Sequence, residues 1–230
     1  MNYPKILNSF HIKILACLFM LIDHIGAFLF PDPQFIGLRI VGRLAFPLFA
    51  FMVANGYYYS KNRRNYLLRL LIFGAAIQIP YSIVLSQFGF PQMFNIFFTL
   101  SLGLLSIMAY EYQRERFGNH SGMVWMLLLA AVGELIGADY GAYGVILIFL
   151  AHVFYASPLR LALGWGALNL LYFFLSEAGA VNMSTIQVYS VFSIFMVAAY
   201  NNKEGRKAKL FFYIFYPLHI AALFLIGELL

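Results

Sequence analysis

Residues 12–59 read IKILACLFMLIDHIGAFLFPDPQFIGLRIVGRLAFPLFAFMVANGYYY. Two apolar runs, near 12–30 and 37–59, flank the turn Pro31-Asp32-Pro33. A membrane-spanning helix needs about 20 predominantly apolar residues, and each run supplies them. The connecting turn is short enough to make the two helices antiparallel neighbours. Four ionisable residues interrupt these runs: Asp23 and His24 in the first, Arg39 and Arg43 in the second. A charge at mid-helix costs about 2.5–3.5 kcal/mol on insertion scales, so residues of this kind face protein or a wet cavity.

The same alternation of apolar run and short polar loop continues to the end of the chain. Further spans are read near 66–87, 94–112, 122–137, 140–156, 159–176, 184–200 and 210–229. The chain has 230 residues, 63% hydrophobic and 10% charged, too few charges to cover a water-facing globule. The expected fold is therefore all-α: a polytopic transmembrane bundle of about nine spans, one domain over residues 1–230. No small-x-small site closes the first run, so it is expected to be retained as a span. The single Cys17 excludes an internal disulfide and a cysteine-based metal site.

The net charge of +6 does not imply nucleic acid. The basic residues sit in short loops and set orientation. Lys5 and Lys13, the Lys61–Arg69 segment, Arg114 with Arg116, Arg160, and Lys203 to Lys209 all fall on one side of a nine-span arrangement. The opposite loops carry no Lys or Arg. This places the N-terminus in the cytoplasm and the C-terminus outside, in a bacterial cytoplasmic (inner) membrane crossed many times.

Arg39 and Arg43 are four apart and share a helix face. Asp23 and His24 are adjacent, so their side chains diverge by about 100°. Asp23 is expected to pair with one arginine while His24 faces another surface. An ion pair that merely locks two helices accounts for one arginine and leaves the other, and the histidine, open. His24 is suited to be a general base. The two guanidinium forks suit a phosphate or an oxyanion. Asn95, Glu134, Asp139 and Tyr140 reach similar depth from other spans, with Gln78 and His219 nearer the middle. Pro217 frees a backbone carbonyl in the last span, and Tyr216 lies three residues before His219 on a similar face. Lys61, Arg63 and Arg64 fit an anionic cofactor as well as plain topology. Tyr57, Tyr58 and Tyr59 fit an interfacial belt. Cys17 fits a buried small hydrophobe better than a thioester. Asn169 and Gln187 fit ordinary interhelical hydrogen bonds.

At these residues the sequence resembles a known family. LFMLIDHIGAFLF (18–30) and LRIVGRLAFPLFAFMVANGYYYSKNRRNYLLRLL (38–71) look like the signature of TraX-like membrane proteins. NIFFTLSLGLL from Asn95, GADYGAYGV from Gly137 and FYPLHI from Phe215 look like the later blocks. The family is named for the acetylase of conjugative F-type pilin. The resemblance implies an acetyl-CoA-dependent acyltransferase, distantly related to membrane enzymes that O-acetylate surface sugars, with acetyl-CoA as co-substrate and no metal. By that analogy His24 matches the catalytic histidine, and Arg39 and Arg43 match the arginine motif; the expected catalytic set is His24, Asp23 and Arg43, with Asp23 placed there as the partner that fixes an arginine. Arg39, Asn95, Asp139, Tyr140, Tyr216 and His219 hold substrate, an oxyanion or a phosphate. Arg63 and Arg64 meet the cofactor. The acceptor is a peptide amine, a sugar or a lipid-linked hydroxyl. The alternative is a transporter or exporter with an intramembrane Asp/His/Arg relay, which would favour internal repeats that this sequence lacks.

Overall fold

The computed structural model describes residues 4–229. Among the described residues helix accounts for 77% and no strand occurs. The fold class is therefore all-α, as the apolar runs predict. The helices are α1 (Ser9–Phe28), α2 (Ile36–Gly42), α3 (Ala45–Tyr59), α4 (Arg63–Gln87), α5 (Ile96–Phe117), α6 (Asn119–Leu135), α7 (Gly141–Val153), α8 (Pro158–Glu177), α9 (Ile194–Ala198) and α10 (Lys209–Gly227). Two 3-10 segments, Pro33–Phe35 and Thr185–Ser193, complete the order. Asparagines set several helix starts. Asn8, Asn62 and Asn95 each accept a backbone N–H from the first turn of α1, α4 and α5.

Five stretches are long and apolar enough to cross a membrane: Ser9–Phe28, Pro33–Tyr59, Arg63–Gln87, Pro158–Glu177 and Leu210–Gly227. Ile72, Ile79, Ile83, Leu163 and Phe174 stand exposed on α4 and α8, where a soluble protein would place polar groups. This is a membrane protein.

Three of the predicted spans differ from continuous long helices. The 37–59 span breaks at Arg43 and Leu44. The cause is Pro47. Proline has no N–H for the carbonyl four residues earlier, which is that of Arg43, and its ring crowds that carbonyl. The proline is harmless in the first turn of α3 and disruptive to any helix running through it. The 140–156 span is shorter than read: α7 has 13 residues, about 20 Å of helix against a hydrocarbon core of about 30 Å. The 184–200 span is mostly 3-10, a form that rises about 2.0 Å per residue. With three residues per turn it stacks Gln187, Ser190 and Ser193 on one face, and all three are buried.

The chain resolves into two compact units, Met1–Met52 with Pro158–Leu230, and Val53–Ser157. In the first, α1 packs on α2 and α10, and the long 3-10 segment packs on α2 and α8. The α1–α2 crossing is close. A Cβ on Gly42 would stand 2.6 Å from the Asp23 Cα, and one on Gly26 would stand 2.8 Å from the Leu38 Cβ. Leu7 pairs with Tyr200, tying the N-terminal tail to the segment after α9. In the second unit α5 is central, packed on α4, α6 and α7. A bridge from Phe94 to Ala138 joins the segments that precede α5 and α7.

Candidate active site

The close α1–α2 crossing sets the first half of the site. Asp23 lies on the α1 face that meets Gly42, within reach of both arginines of the facing element. Arg39 donates through Nη1 to Asp23 Oδ2 at 2.7 Å and to the Asp23 carbonyl at 2.9 Å. Arg43 donates through Nη2 to Oδ1 at 2.7 Å and Oδ2 at 2.8 Å. One carboxylate thus takes two guanidinium groups, where the sequence reading assigned it one. The Arg43 side chain is 9% exposed and that of Arg39 is 26% exposed, so Arg39 is the more accessible. Arg43 Nη1 also reaches Gln187 Oε1 at 3.4 Å, which brings the 3-10 segment to the cluster. Gln187 therefore does more than the ordinary interhelical contact expected of it. Asn169 keeps that ordinary role, bonded to the Trp165 carbonyl and the Ser190 hydroxyl.

The second half is a pair of histidines. His24 Nδ1 lies 2.7 Å from His219 Nε2, joining α1 to α10. His219 Nδ1 lies 2.8 Å from the Phe215 carbonyl. A carbonyl only accepts, so His219 Nδ1 carries a proton and donates it. With both rings neutral, His219 Nε2 is then the acceptor and His24 Nδ1 the donor. His24 Nε2 is left with its lone pair. The pair fixes the His24 tautomer and leaves one basic nitrogen, the arrangement a general base requires. Tyr216 is buried, with its ring edge-on to His219 at 5.8 Å between centroids.

Asp23, His24, Arg39, Arg43, Tyr216 and His219 all belong to the first unit. The remaining residues singled out from the sequence belong to the second, where each has a local partner or position. Asn95 is fully buried, caps α5 and donates to the Gly74 carbonyl and Gln78 Oε1. The Asp139 carbonyl accepts from the Thr99 hydroxyl, and its N–H donates to the Phe94 carbonyl at 2.8 Å. Tyr140 precedes α7 with a left-handed backbone, φ 64°. Glu134 accepts the Ala142 N–H at 2.9 Å and so caps α7. Arg63 donates to the Tyr57 carbonyl at 3.1 Å and lies 4.0 Å over its ring, while Arg64 is exposed. Cys17, of the first unit, is buried, as a small hydrophobe would be.

Sequence reading missed one ionisable centre. His152, on α7, bonds Glu111 of α5 through Nε2 at 2.6 Å. Nothing in FLAHVFY (149–155) marks it, because no charged residue stands near it in the sequence.

Comparisons with known proteins agree with this architecture in extent. The model of the family described as TraX protein matches residues 9–227. A protein of Dichelobacter nodosus described as "Probable fimbrial assembly protein FimC, serogroup H1" is 30% identical over 243 residues, covering 94% of each chain. An uncharacterized protein of Rickettsia prowazekii (strain Madrid E) is 34% identical over 102 residues, 44% of this chain and 35% of that protein. No solved structure matches.

Proposed function

Because the chain belongs to the TraX family, we propose that it is a membrane-embedded acetyltransferase that moves an acetyl group from acetyl-CoA to an amine or hydroxyl acceptor. The observation that carries this reading is the His24–His219 pair, which leaves His24 Nε2 as an unprotonated base beside an arginine cluster.

In this reading the acceptor nucleophile attacks the thioester carbonyl. A new N–C or O–C bond forms and the C–S bond breaks. His24 Nε2 takes the acceptor's proton. The positive charge this creates spreads onto His219, since His24 Nδ1 can pass its proton to His219 Nε2 across 2.7 Å. The proton later returns to the departing coenzyme A thiolate. The oxyanion that develops on the carbonyl is met by a guanidinium, and Arg39 is the more accessible of the two. Arg43, itself bonded to Gln187, holds Asp23 and so fixes where Arg39 points. Arg63 and Arg64 remain proposed contacts of the coenzyme, on the basic cytoplasmic side.

The fimbrial assembly description of the Dichelobacter relative favours a peptide amine of a fimbrial subunit over a sugar or lipid-linked hydroxyl as acceptor. The proposed setting is the bacterial inner membrane, with nine crossings and the N-terminus in the cytoplasm. The decisive experiment supplies purified protein with labelled acetyl-CoA and candidate acceptors. Wild type transfers label and folded His24→Ala does not; equal transfer by the two would remove His24 from the mechanism.

A further inference from the structure

His152 is 4% exposed, and its Nδ1 is buried with no hydrogen-bond partner. Its other nitrogen is held by Glu111 at 2.6 Å, and Glu111 is held in turn by Arg114 at 2.6 Å. A carboxylate accepts, so Nε2 carries the ring proton and Nδ1 presents a lone pair. Carboxylate–histidine pairs orient an imidazole toward something that uses its second nitrogen. An unmade hydrogen bond on a buried group is costly, and a native structure that keeps one calls for a partner.

The surroundings say what chemistry that partner has. Tyr58 stacks on the imidazole at 5.1 Å and Tyr57 meets it edge-on at 5.1 Å. The Tyr58 hydroxyl donates to the His152 carbonyl at 3.0 Å. Arg63 lies 4.0 Å over the Tyr57 ring, and Arg114, paired with Glu111, has its side chain 43% exposed. The centre is thus an acceptor nitrogen in an aromatic shell, rimmed by two guanidinium groups. It calls for a ligand with an N–H or S–H donor at one point and phosphates at another.

We propose that His152, Glu111, Arg63 and Arg114 form a binding site for the phosphorylated carrier of the acyl group, a ligand of the coenzyme A class. The amide-bearing arm gives a donor to His152 Nδ1, and the phosphates meet the arginine rim. Glu111 is the positioning residue that fixes the tautomer. This rests on the acetyltransferase reading and adds the residues that hold its donor. An anionic lipid headgroup carries similar phosphate chemistry and is the competing source.

The test uses full-length protein in nanodiscs of neutral phosphatidylcholine, titrated with coenzyme A by calorimetry, beside thermal unfolding. His152→Phe keeps an aromatic ring and removes the acceptor. It should weaken coenzyme A binding at least tenfold while the protein stays folded, because the orphaned Nδ1 goes together with the Glu111 hydrogen bond and Arg114 still pairs with Glu111. His24→Ala should bind coenzyme A as wild type does. Coenzyme A binding that His152→Phe leaves intact overturns the site while the transferase reading stands. Wild type that binds no coenzyme A overturns both. A parallel titration with short-chain phosphatidylglycerol decides the source: sensitivity of lipid binding alone to His152→Phe overturns the assignment to coenzyme A.

Discussion

Asp23 is the one carboxylate between two guanidinium groups, so the three residues stand or fall together. Removing one partner of a buried ion pair costs about 3–5 kcal/mol, because the charge left behind has lost its compensation. Asp23→Ala should therefore unfold at a clearly lower temperature in detergent, by an amount larger than Arg39→Ala produces. An unchanged midpoint would show that the guanidinium groups find other acceptors. His219 makes a different prediction. Its task is to hold the His24 tautomer, so His219→Leu should lower the turnover of acetyl transfer by about 10²-fold, the lower range for general-base assistance. The KM for acetyl-CoA should stay the same. A rise in KM with normal turnover would assign His219 to substrate binding. The ion cluster was largely legible in the sequence, because Arg39 and Arg43 share a helix face and the Pro31–Pro33 turn brings Asp23 alongside. The His24–His219 pair was not, since a separation of 195 residues carries no information on which spans touch. His152 was invisible for a similar reason, its carboxylate lying 41 residues away on another helix.

At the scale of elements, the break between α2 and α3 and the 3-10 segment were the features that apolar periodicity could not supply. Hydropathy reads 37–59 and 184–200 as two more apolar runs, and both are. What it misses is local backbone chemistry. Pro47 interrupts the first, and the three-residue spacing of Gln187, Ser190 and Ser193 suits the tighter helix in the second. The break leaves Arg43 in place. Pro47→Ala restores an N–H that can bond the Arg43 carbonyl and let α2 run into α3. Arg43 already continues α2, with a helical backbone and its N–H bonded to the Arg39 carbonyl at 3.1 Å, so a continuous helix would change the chain after Arg43 and leave its guanidinium on the Arg39 face toward Asp23. The variant should stay folded and keep its acetyl transfer; a loss of tenfold or more would show that the break itself positions Arg43. The 3-10 face yields a second expectation. Ser193 Oγ is buried without a partner. Ser193→Ala removes a desolvated hydroxyl and should stabilise the protein by about 1 kcal/mol or leave it unchanged. A marked loss of stability would reveal a bound water or ligand on that hydroxyl.

For the whole molecule, the number of membrane crossings turns on α5, α6, α7 and the 184–200 segment. Five stretches satisfy length and composition, while the loop charges favour nine crossings. The two counts agree on much. Both put the N-terminal tail and the segment after α9 on one side, as the Leu7–Tyr200 pairing requires. Both put the segments before α5 and α7 together, as the Phe94–Ala138 bridge requires. They part over these three helices and over the 184–200 segment, and so over the direction in which α8 crosses. If the three helices cross, the segments after α5 and after α7 lie in the cytoplasm with Arg114, Arg116 and the His152 centre. If they do not, all of these lie outside, against the positive-inside bias. α5 is about 33 Å long, enough to separate its two ends by a membrane thickness, although its last turns carry Glu111, Arg114, Glu115 and Arg116. We expect three crossings here and a fourth through 184–200, which together with the five make nine. Cys17→Ser gives a cysteine-free chain, and Gln92, His120 and Ala156 are exposed positions for single cysteines. A membrane-impermeant maleimide added to intact spheroplasts should label Gln92→Cys and reach His120→Cys and Ala156→Cys only after permeabilisation. Labelling of all three from outside would remove these three crossings and overturn the nine-span count. It would also strand the proposed coenzyme site on the wrong side of the membrane from its ligand, so the location of two loops decides the topology and constrains the chemistry together.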